Sequence, residues 1–256
     1  MISLVLMSKN DRNFDDLVRK FDKNIYGTSK GKLRHELLLH QLREHVLTDA
    51  SMDILDAGGG TGEMTRALLQ LGHRVTLNDI SSESLLAAQE KCQAFPDVQY
   101  LCSSIQEIPK QSSYDLVTCH AVLEWAADQG QLLDDLVSLT KPGGYISLSF
   151  YNYHAQLFSN MVYGNFHFVL GGMKKRNQVR LTPHSPITPE KVISMLDKLP
   201  VEVVSQSGIR CFHDYVKQKE AIEEKYDELF ALELEYGTKE PYMWLGKYFH
   251  IIVRVI

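Results

Sequence analysis

The sequence has few cysteines, and their spacing is not that of a disulfide framework or a zinc site. The 256 residues contain four cysteines, namely Cys92, Cys102, Cys119 and Cys211. None of them forms a Cys-x-x-Cys pair, and three lie in apolar runs, as buried free thiols do in a reducing compartment. A His-Glu-x-x-His motif is also absent, and His35, His40 and His45 are spaced so that a helix would spread them around its axis. We therefore expect free thiols and no metal site.

A long hydrophobic run is missing as well. The apolar stretch at the N-terminus, residues 1–7, is too short to cross a bilayer, and it lacks the basic start and the cleavage site of a signal peptide. Hydrophobic content of 44% and charged content of 23% are ordinary for a globular domain, and the net charge of −5 argues against a surface that is basic throughout. We expect a cytoplasmic protein without a membrane partner. Residues 1–10 are predicted to be a disordered extension, with Met7 as the working start; no pattern indicates an oligomeric state.

Strand and helix patterns alternate through the first 150 residues. Apolar residues at helical spacing predict a helix over about 31–47. Five short apolar runs then predict strands at 53–57, 75–79, 98–102, 116–120 and 145–150, and the segments 63–71, 82–92 and 132–139 predict intervening helices. Such alternation indicates right-handed strand–helix–strand crossovers and hence an α/β fold with a mostly parallel sheet.

The rhythm changes after residue 150. We predict a helix at 189–199, a strand at 201–208, one long helix at 215–236 and a final strand at 248–255, the last of which runs antiparallel. Long insertions in a compact domain are usually functional or disordered. The prediction is one domain over 1–256, in which helical insertions at 151–188 and 212–240 form a lid over the substrate site.

A glycine-rich turn follows the first strand. It reads Asp56-Ala57-Gly58-Gly59-Gly60-Thr61-Gly62 and opens a helix, the position at which open α/β sheets bind nucleotides. Asp79 ends the second strand, where a carboxylate can accept both ribose hydroxyls. A plain turn without ligand, or a nicotinamide dinucleotide site, would also fit these glycines alone.

Three further features favour another cofactor. Asp56 suits a cationic amino-acid group better than a pyrophosphate; Asp115-Leu116-Val117 lies at the fourth strand; and Lys141-Pro142-Gly143-Gly144 reads as a turn before the fifth. Together they resemble the class I methyltransferase pattern. That resemblance implies a Rossmann-like, seven-stranded, mostly parallel sheet and S-adenosylmethionine as the cofactor.

The resemblance also assigns cofactor contacts by position. Gly58, Gly59 and Gly60 would face the methionine part and Asp79 the ribose. Backbone groups of Ser104 and Ile105 would meet the adenine. His120 would point at the sulfonium, although a histidine at a strand end is often merely a satisfied core residue.

Several stretches identify a narrower family. They are residues 11–16 with 24–28, 30–34, 119–125, 150–152 through 164–166, and 208–215. They resemble the bacterial tRNA 5-carboxymethoxyuridine methyltransferase family. The resemblance implies methyl transfer to the carboxylate of that wobble nucleoside, giving a methyl ester, with the tRNA anticodon stem-loop as partner. It also implies that Arg34 joins the cofactor site, where a guanidinium fork suits a free carboxylate, although such an arginine is more often solvated.

Residues for the substrate are less constrained. Four cations in the first insertion, Lys174, Lys175, Arg176 and Arg180, fit RNA phosphates or a solvated loop equally well. A carboxylate nucleophile, with an ordinary pKa of about 4, is already ionised and needs no general base. The candidates for holding it are Tyr151, Asn152, Arg210 and His213. A small-molecule carboxyl or hydroxyl methyltransferase and a non-catalytic S-adenosylmethionine-binding protein remain alternatives.

Overall fold

The elements follow the order that the sequence predicts. A computed structural model describes residues 28–173 and 186–256. The strands are β1 (Asp53–Ala57), β2 (Arg74–Asp79), β3 (Gln99–Cys102), β4 (Tyr114–His120), β5 (Thr140–Tyr151), β6 (Val201–Ile209) and β7 (Tyr248–Val255). The α-helices in the described residues are α1 (Ser29–His45), α2 (Glu63–Gln70), α3 (Ser82–Lys91), α4 (Gln129–Leu139), α5 (Tyr153–Val162), α6 (Phe166–Leu170), α7 (Pro189–Leu196), α8 (Glu220–Glu224) and α9 (Tyr226–Gly237).

The seven strands form one sheet in the order β3-β2-β1-β4-β5-β7-β6. The pairs from β3 to β5 are parallel, whereas β7 runs antiparallel to both β5 and β6. The chain reverses direction across the sheet between β1 and β4, the strand junction at which open α/β sheets bind ligands. The predicted fold class and the antiparallel final strand are both confirmed.

Alternating side chains give the sheet two apolar faces. Ile54 of β1 packs with the buried leucines of α1 and with α2, while its neighbour Leu55 packs with α4 and α7 on the opposite face. This is the two-residue period expected of a strand buried on both sides. The helices therefore cover both faces and leave the carboxyl ends of the strands open to a ligand.

A side-chain cap sets the start of α1. The Thr28 hydroxyl accepts a hydrogen bond from the Gly31 amide, which satisfies one of the free donors of the first turn. The apolar stripe that begins with Leu33 and Leu37 then docks on the sheet. Arg34, between them in sequence, is itself buried and lies at the cavity described below.

Three local predictions are wrong. The single helix expected at 215–236 is broken into α8 and α9 at Lys225, whose φ of −125° and ψ of 41° leave the helical region. Tyr226 is the first residue after the break. Its hydroxyl donates a hydrogen bond to Glu36 Oε2 on α1 over 2.6 Å. The helix expected at 189–199 ends at Leu196. Residues 141–144, predicted as a turn before the fifth strand, belong to β5 and form a bulge in it. The register with β4 shifts there, because Tyr114 pairs with Thr140 but Leu116 pairs with Tyr145.

The insertions are helical where they are described. Residues 151–188 contain α5 and α6, and residues 212–240 contain α8 and α9. The Tyr163 hydroxyl donates to the Asp214 carbonyl over 2.9 Å and so joins the two insertions. Their action as a lid stays a prediction. Within 28–173 and 186–256, no helix has the length and apolar character needed to span a membrane.

Candidate active site

A cavity opens at the carboxyl ends of β1, β2 and β4. It is lined by eight of the predicted cofactor residues, namely Arg34, Gly58, Gly59, Gly60, Asp79, Ser104, Ile105 and His120. Trp125, Ala126 and Leu132 add apolar surface on one side. The chain thus brings these predicted positions together from α1 and from the ends of β1, β2, β3 and β4.

The glycine loop takes a backbone shape that side chains would obstruct. Gly58 and Gly60 have φ values of 68° and 56°, in the left-handed region that favours glycine. A Cβ atom on Gly58 would collide with Val122 Cγ2, so the loop packs directly against the segment after β4. A Cβ on Gly60 would meet no described protein atom within 4 Å, because that position faces the cavity. Backbone is therefore exposed to whatever the cavity holds.

The Asp79 carboxylate is fixed at the rim. Its Oδ2 accepts from the Gly60 amide over 2.9 Å, and its Oδ1 accepts from the Ser81 amide over 2.8 Å. Each carboxylate oxygen has a further lone pair, so both can also accept from neighbouring hydroxyls. The group is preorganised to take a ribose diol.

Asp56 has a different role from the one predicted. It does not line the cavity, and only 2% of it is exposed. Thr65 donates to its Oδ2 over 2.7 Å and Thr118 to its Oδ1 over 2.8 Å. Burial raises the pKa of its carboxyl, which these hydrogen bonds partly offset. Asp56 thus ties β1 to α2 and β4 beneath the glycine loop, and the prediction of direct cofactor contact gives way to this supporting role.

His120 belongs to a buried chain of polar groups. Its Nε2 lies 2.8 Å from the Ser147 hydroxyl, which lies 2.8 Å from His250 Nε2. Burial and the neighbouring histidine hold the pKa of His120 well below its usual value, and burial lowers that of His250 to about 3. Both rings are therefore neutral at physiological pH. A neutral imidazole can face a sulfonium cation without charge repulsion.

These residues fit S-adenosylmethionine part by part. The open backbone of the glycine loop with the Arg34 guanidinium suits the amino-acid portion, the Asp79 carboxylate suits the ribose, and the segment 103–106 at the end of β3 suits the adenine. The Ser104 amide is already held by Glu107 Oε2 over 3.0 Å, which fixes this segment in a short 3₁₀ turn. The fit rests on exposed backbone, a fixed carboxylate and a cation in one cavity.

A second group of side chains lies beside the cavity, and we call it the Tyr248 cluster. Its members are Arg34, Tyr151, Arg210, Asp214, Lys247 and Tyr248. The guanidinium carbons of Arg34 and Arg210 lie 5.1 Å and 5.9 Å from the Tyr248 ring centroid. The ring of Tyr248 meets that of Tyr151 edge-on at 5.9 Å. Because Arg34 also lines the cofactor cavity, the cluster is continuous with it.

Arg210 is held inside the cluster by a carboxylate. Its Nε donates to Asp214 Oδ2 over 2.8 Å, and its Nη2 donates to both Asp214 oxygens over 2.6 Å. Although burial opposes ionisation, the imidazole of His213, whose Nδ1 lies 3.8 Å from Asp214 Oδ2, and the Arg210 charge keep the pKa of Asp214 well below its usual range. Most of the guanidinium charge is thus matched within the protein. Arg210 reaches this position from a left-handed backbone with a φ of 64°.

Two other predicted carboxylate-binding residues, Asn152 and His213, are buried and contact neighbouring groups. The Asn152 amide is fully buried and donates to the Trp244 and Gly246 carbonyls over 2.8 Å and 2.9 Å, while its oxygen accepts from the His154 amide. It therefore closes the turn after β5. His213 is 1% exposed, and its Nε2 lies 3.1 Å from the Ser29 hydroxyl. Of the four candidates, only Tyr151 and Arg210 belong to the Tyr248 cluster.

Sequence reasoning missed Glu124, which follows β4 and is close in sequence to the cavity residues Val122 and Trp125. It is 3% exposed, burial raises its pKa to about 7, and its Oε2 makes no hydrogen bond to any described residue. The amide of Tyr151 and the charge of Arg34 act in the opposite direction. Glu124 falls in the stretch 119–125 that carried the family resemblance, so its position was visible in the sequence but its burial was not. Lys247 and Tyr248 had no sequence signal at all.

The four cations predicted to contact RNA lie in the segment between residues 173 and 186. Lys174, Lys175, Arg176 and Arg180 lie outside the described residues, so their contact with RNA stays a prediction. The four cysteines are all described and are free thiols, with Cys102 exposed and the other three buried.

Comparison with known proteins shows to which class of enzyme this chain belongs. Residues 55–148, which include the glycine loop and Asp79, match the methyltransferase domain model Methyltransf_11. A structural relative, the complex between the Haloferax volcanii Trm112 methyltransferase activator and a methyltransferase, aligns over 97% of this chain and 99% of its own with a TM-score of 0.63 and 17% identity, which supports the fold alone. The fold, the cavity and the domain match together define an S-adenosylmethionine-dependent methyltransferase.

Sequence relatives narrow the family. The tRNA 5-carboxymethoxyuridine methyltransferase of Escherichia coli K12 is 38% identical over 252 residues, which cover 95% of this chain and 96% of the relative. The malonyl-[acyl-carrier protein] O-methyltransferase of Acetivibrio thermocellus is 27% identical over 68% of this chain. The chain belongs to the tRNA 5-carboxymethoxyuridine methyltransferase family.

Proposed function

We propose that this protein methylates the carboxylate of 5-carboxymethoxyuridine at the wobble position of tRNA and thereby forms a methyl ester. The observation that carries the proposal is the likeness to the Escherichia coli enzyme along almost the whole length of both chains, insertions included. The Tyr248 cluster supports it independently, because cations and aromatic rings beside the cofactor cavity suit an anionic substituent on a planar base.

Methylation of a carboxylate needs no proton transfer by the protein. When bound, S-adenosylmethionine supplies an electrophilic methyl group: a carboxylate lone pair forms the new O–C bond, the S–C bonding pair stays on sulfur, and no proton moves. The substrate carboxylate is ionised at neutral pH. The residues therefore have to orient it, and orientation alone can contribute roughly 7–11 kcal/mol to lowering the barrier.

In this proposal the cavity binds the cofactor and the Tyr248 cluster binds the substrate. Arg34 lies at the cavity and holds the carboxylate of the cofactor, Asp79 holds the ribose, and the neutral His120 leaves the methyl donor's charge unopposed. The Tyr248 cluster receives the substrate. Aromatic groups exposed on the first insertion, Phe158, Tyr163 and Phe166, provide stacking surfaces near that entrance, and Tyr163 contacts the same segment as Asp214.

The insertion cations complete this proposal. Lys174, Lys175, Arg176 and Arg180 follow the exposed aromatics in sequence and would contact phosphates of the anticodon stem-loop. A small-molecule carboxyl or hydroxyl methyltransferase is the second candidate, since a relative that matches 68% of this chain is by name an O-methyltransferase with a different substrate. A cofactor-binding protein without turnover is the third.

Transfer of a labelled methyl group separates these candidates. Purified protein is incubated with methyl-labelled S-adenosylmethionine and either tRNA from cells unable to make the methyl ester or a panel of free carboxylic acids and phenols. The proposal requires label in tRNA that mild alkali releases as methanol, because an ester hydrolyses and an N-, C- or ether-linked methyl group does not. Label confined to a small acid supports the second candidate. Cofactor binding without any transfer supports the third.

A further inference from the structure

Lys247 is fixed at the opening of the sheet's carboxyl edge. Its amide donates to the Arg210 carbonyl over 3.1 Å, and its own carbonyl accepts from the Asn152 amide over 3.2 Å. These two bonds hold it between the end of β6 and the end of β5, one residue before β7 begins at Tyr248. Asn152, buried and hydrogen-bonded to two further carbonyls, makes this anchoring rigid.

The ammonium group of Lys247 lies over an aromatic ring. Its Nζ is 4.9 Å from the ring centroid of Tyr151. Among the described residues, no carboxylate lies within ion-pair distance of it. Asp214 is the anion whose charge acts on it, but that carboxylate is engaged at 2.6–2.8 Å by Arg210. The protein therefore matches Arg210 with an anion and leaves Lys247 over a ring.

Burial has an energetic consequence for this lysine. Desolvation lowers the pKa of Lys247 from its usual value, and the neighbouring Arg210 charge acts in the same direction. A partly desolvated ammonium gains more from an arriving anion than a solvated one does. The same half-buried setting would strengthen its hydrogen bond to a substrate oxygen.

We propose that Lys247 binds the carboxylate of the substrate through Nζ and positions it for methylation. This inference rests on the proposed function and assigns the anion-binding residue within it. A lysine presents a compact charge to one oxygen and leaves the other free as the nucleophile. An arginine fork would engage both oxygens, and Arg210 is instead committed to Asp214. The Tyr151 ring lies under Nζ and favours the charged form of the lysine at this position.

The test compares two substrates and three variants. The Lys247→Met variant keeps the aliphatic length and removes the charge, and Lys247→Arg restores a charge with the wrong shape. Lys239→Met is the matched control, since Lys239 also lies 4.9 Å from a tyrosine centroid, that of Tyr236, but pairs with the exposed Glu235. Each variant is assayed for KM and kcat on tRNA carrying 5-carboxymethoxyuridine, for affinity to the same tRNA without the carboxymethoxy group, and for affinity to S-adenosylmethionine.

We expect Lys247→Met to raise KM for the carboxylated tRNA roughly 10- to 100-fold, the loss of one charge-assisted hydrogen bond. Affinity for the unmodified tRNA and for the cofactor should stay within twofold of wild type, which shows that the fold and the RNA surface are intact. Lys247→Arg should recover most of the KM but not the kcat, because its fork misplaces the oxygen.

Three outcomes overturn the inference in distinguishable ways. If wild type methylates the carboxylated tRNA and Lys247→Met does so with unchanged KM, another residue holds the carboxylate and only this inference fails. If Lys247→Met weakens the binding of both tRNAs equally, the lysine contacts RNA in general, and its assignment to the substrate carboxylate is wrong. If wild type itself does not methylate that tRNA, the proposed function fails, and this inference with it.

Discussion

The amide of Gly60 donates a hydrogen bond to Asp79 Oδ2 over 2.9 Å, and this bond joins the loop after β1 to the end of β2. It links the two sequence features that first pointed to a nucleotide-like cofactor. Two backbone amides, those of Gly60 and Ser81, hold this carboxylate in its orientation. The cofactor cavity is thus preformed by the fold, and single residues in it can be tested without dismantling the domain.

Gly60 can be tested against a matched glycine. Gly60 and Gly72 both have positive φ values, 56° and 88°, and an added Cβ would meet no described atom within 4 Å at either. Changing each to alanine should therefore cost a similar backbone strain, about 1–2 kcal/mol of unfolding free energy. Only Gly60→Ala should weaken S-adenosylmethionine binding, by at least tenfold in calorimetric titration, because only its Cβ enters the cavity. Equal cofactor affinity in the two variants would remove Gly60 from the site.

Asp79→Ala should nearly abolish cofactor binding. Two hydrogen bonds to a charged acceptor at about 1.5 kcal/mol each correspond to an affinity loss of about 100-fold. Asp97→Ala removes an exposed carboxylate from the turn before β3 and should bind the cofactor normally. Isothermal titration of both variants measures the difference. Native affinity in Asp79→Ala would refute the ribose role.

Glu124 should make folding stability depend on pH near neutrality. Its folded pKa, raised to about 7, lies above that of the unfolded chain, so the folded state retains a proton that the unfolded state has released. The stabilisation is fully present below about pH 4.5 and is lost as pH rises through 7, by up to about 3 kcal/mol. Glu124→Gln should flatten this dependence between pH 5 and 8 in urea unfolding, whereas the exposed-site control Glu90→Gln should keep it. A wild-type profile that is already flat would contradict the buried, protonated state.

The insertion cations should govern RNA affinity. Replacing Lys174, Lys175 and Arg176 together by alanine should weaken tRNA binding and reduce the slope of log affinity against log salt by about 2. Lys198→Ala removes an exposed cation just before β6, at the end of the sheet away from the cofactor cavity, and should leave both quantities unchanged. Filter binding over a salt series provides the measurement. An unchanged slope in the triple variant would show that these three cations do not contact RNA phosphates.

The sheet was predictable from sequence because its signals are local. Apolar runs of strand length, each followed by a helical pattern, indicate a parallel sheet wherever they occur, and the glycine loop marks the switch point. Eight of the nine predicted cofactor positions line the cavity for the same reason, since the ends of neighbouring strands must meet. Asp56 differed because residue type alone does not reveal whether a carboxylate points outward or is satisfied by threonines from α2 and β4.

The Tyr248 cluster was not predictable in the same way. Its members come from α1, β5, the segment after β6 and the start of β7, and only the tertiary fold sets Lys247 over Tyr151 and both arginines beside Tyr248. Arg210 and Asp214 are only four residues apart, but they follow a strand and not an α-helix, so their spacing does not predict the ion pair. The break at Lys225 was missed because it has no glycine or proline; contact between Tyr226 and Glu36, which is remote in sequence, accompanies it.

We expect this protein to methylate a carboxylate on tRNA at the cavity and the adjacent Tyr248 cluster. In one experiment the protein is incubated with S-adenosylmethionine and tRNA from cells that lack the methyl ester, the RNA is digested to nucleosides, and these are analysed by mass spectrometry. We expect 5-carboxymethoxyuridine to disappear as its methyl ester forms, and Asp79→Ala to leave it unchanged. If that nucleoside persists while the same preparation binds the cofactor, the proposed function is wrong.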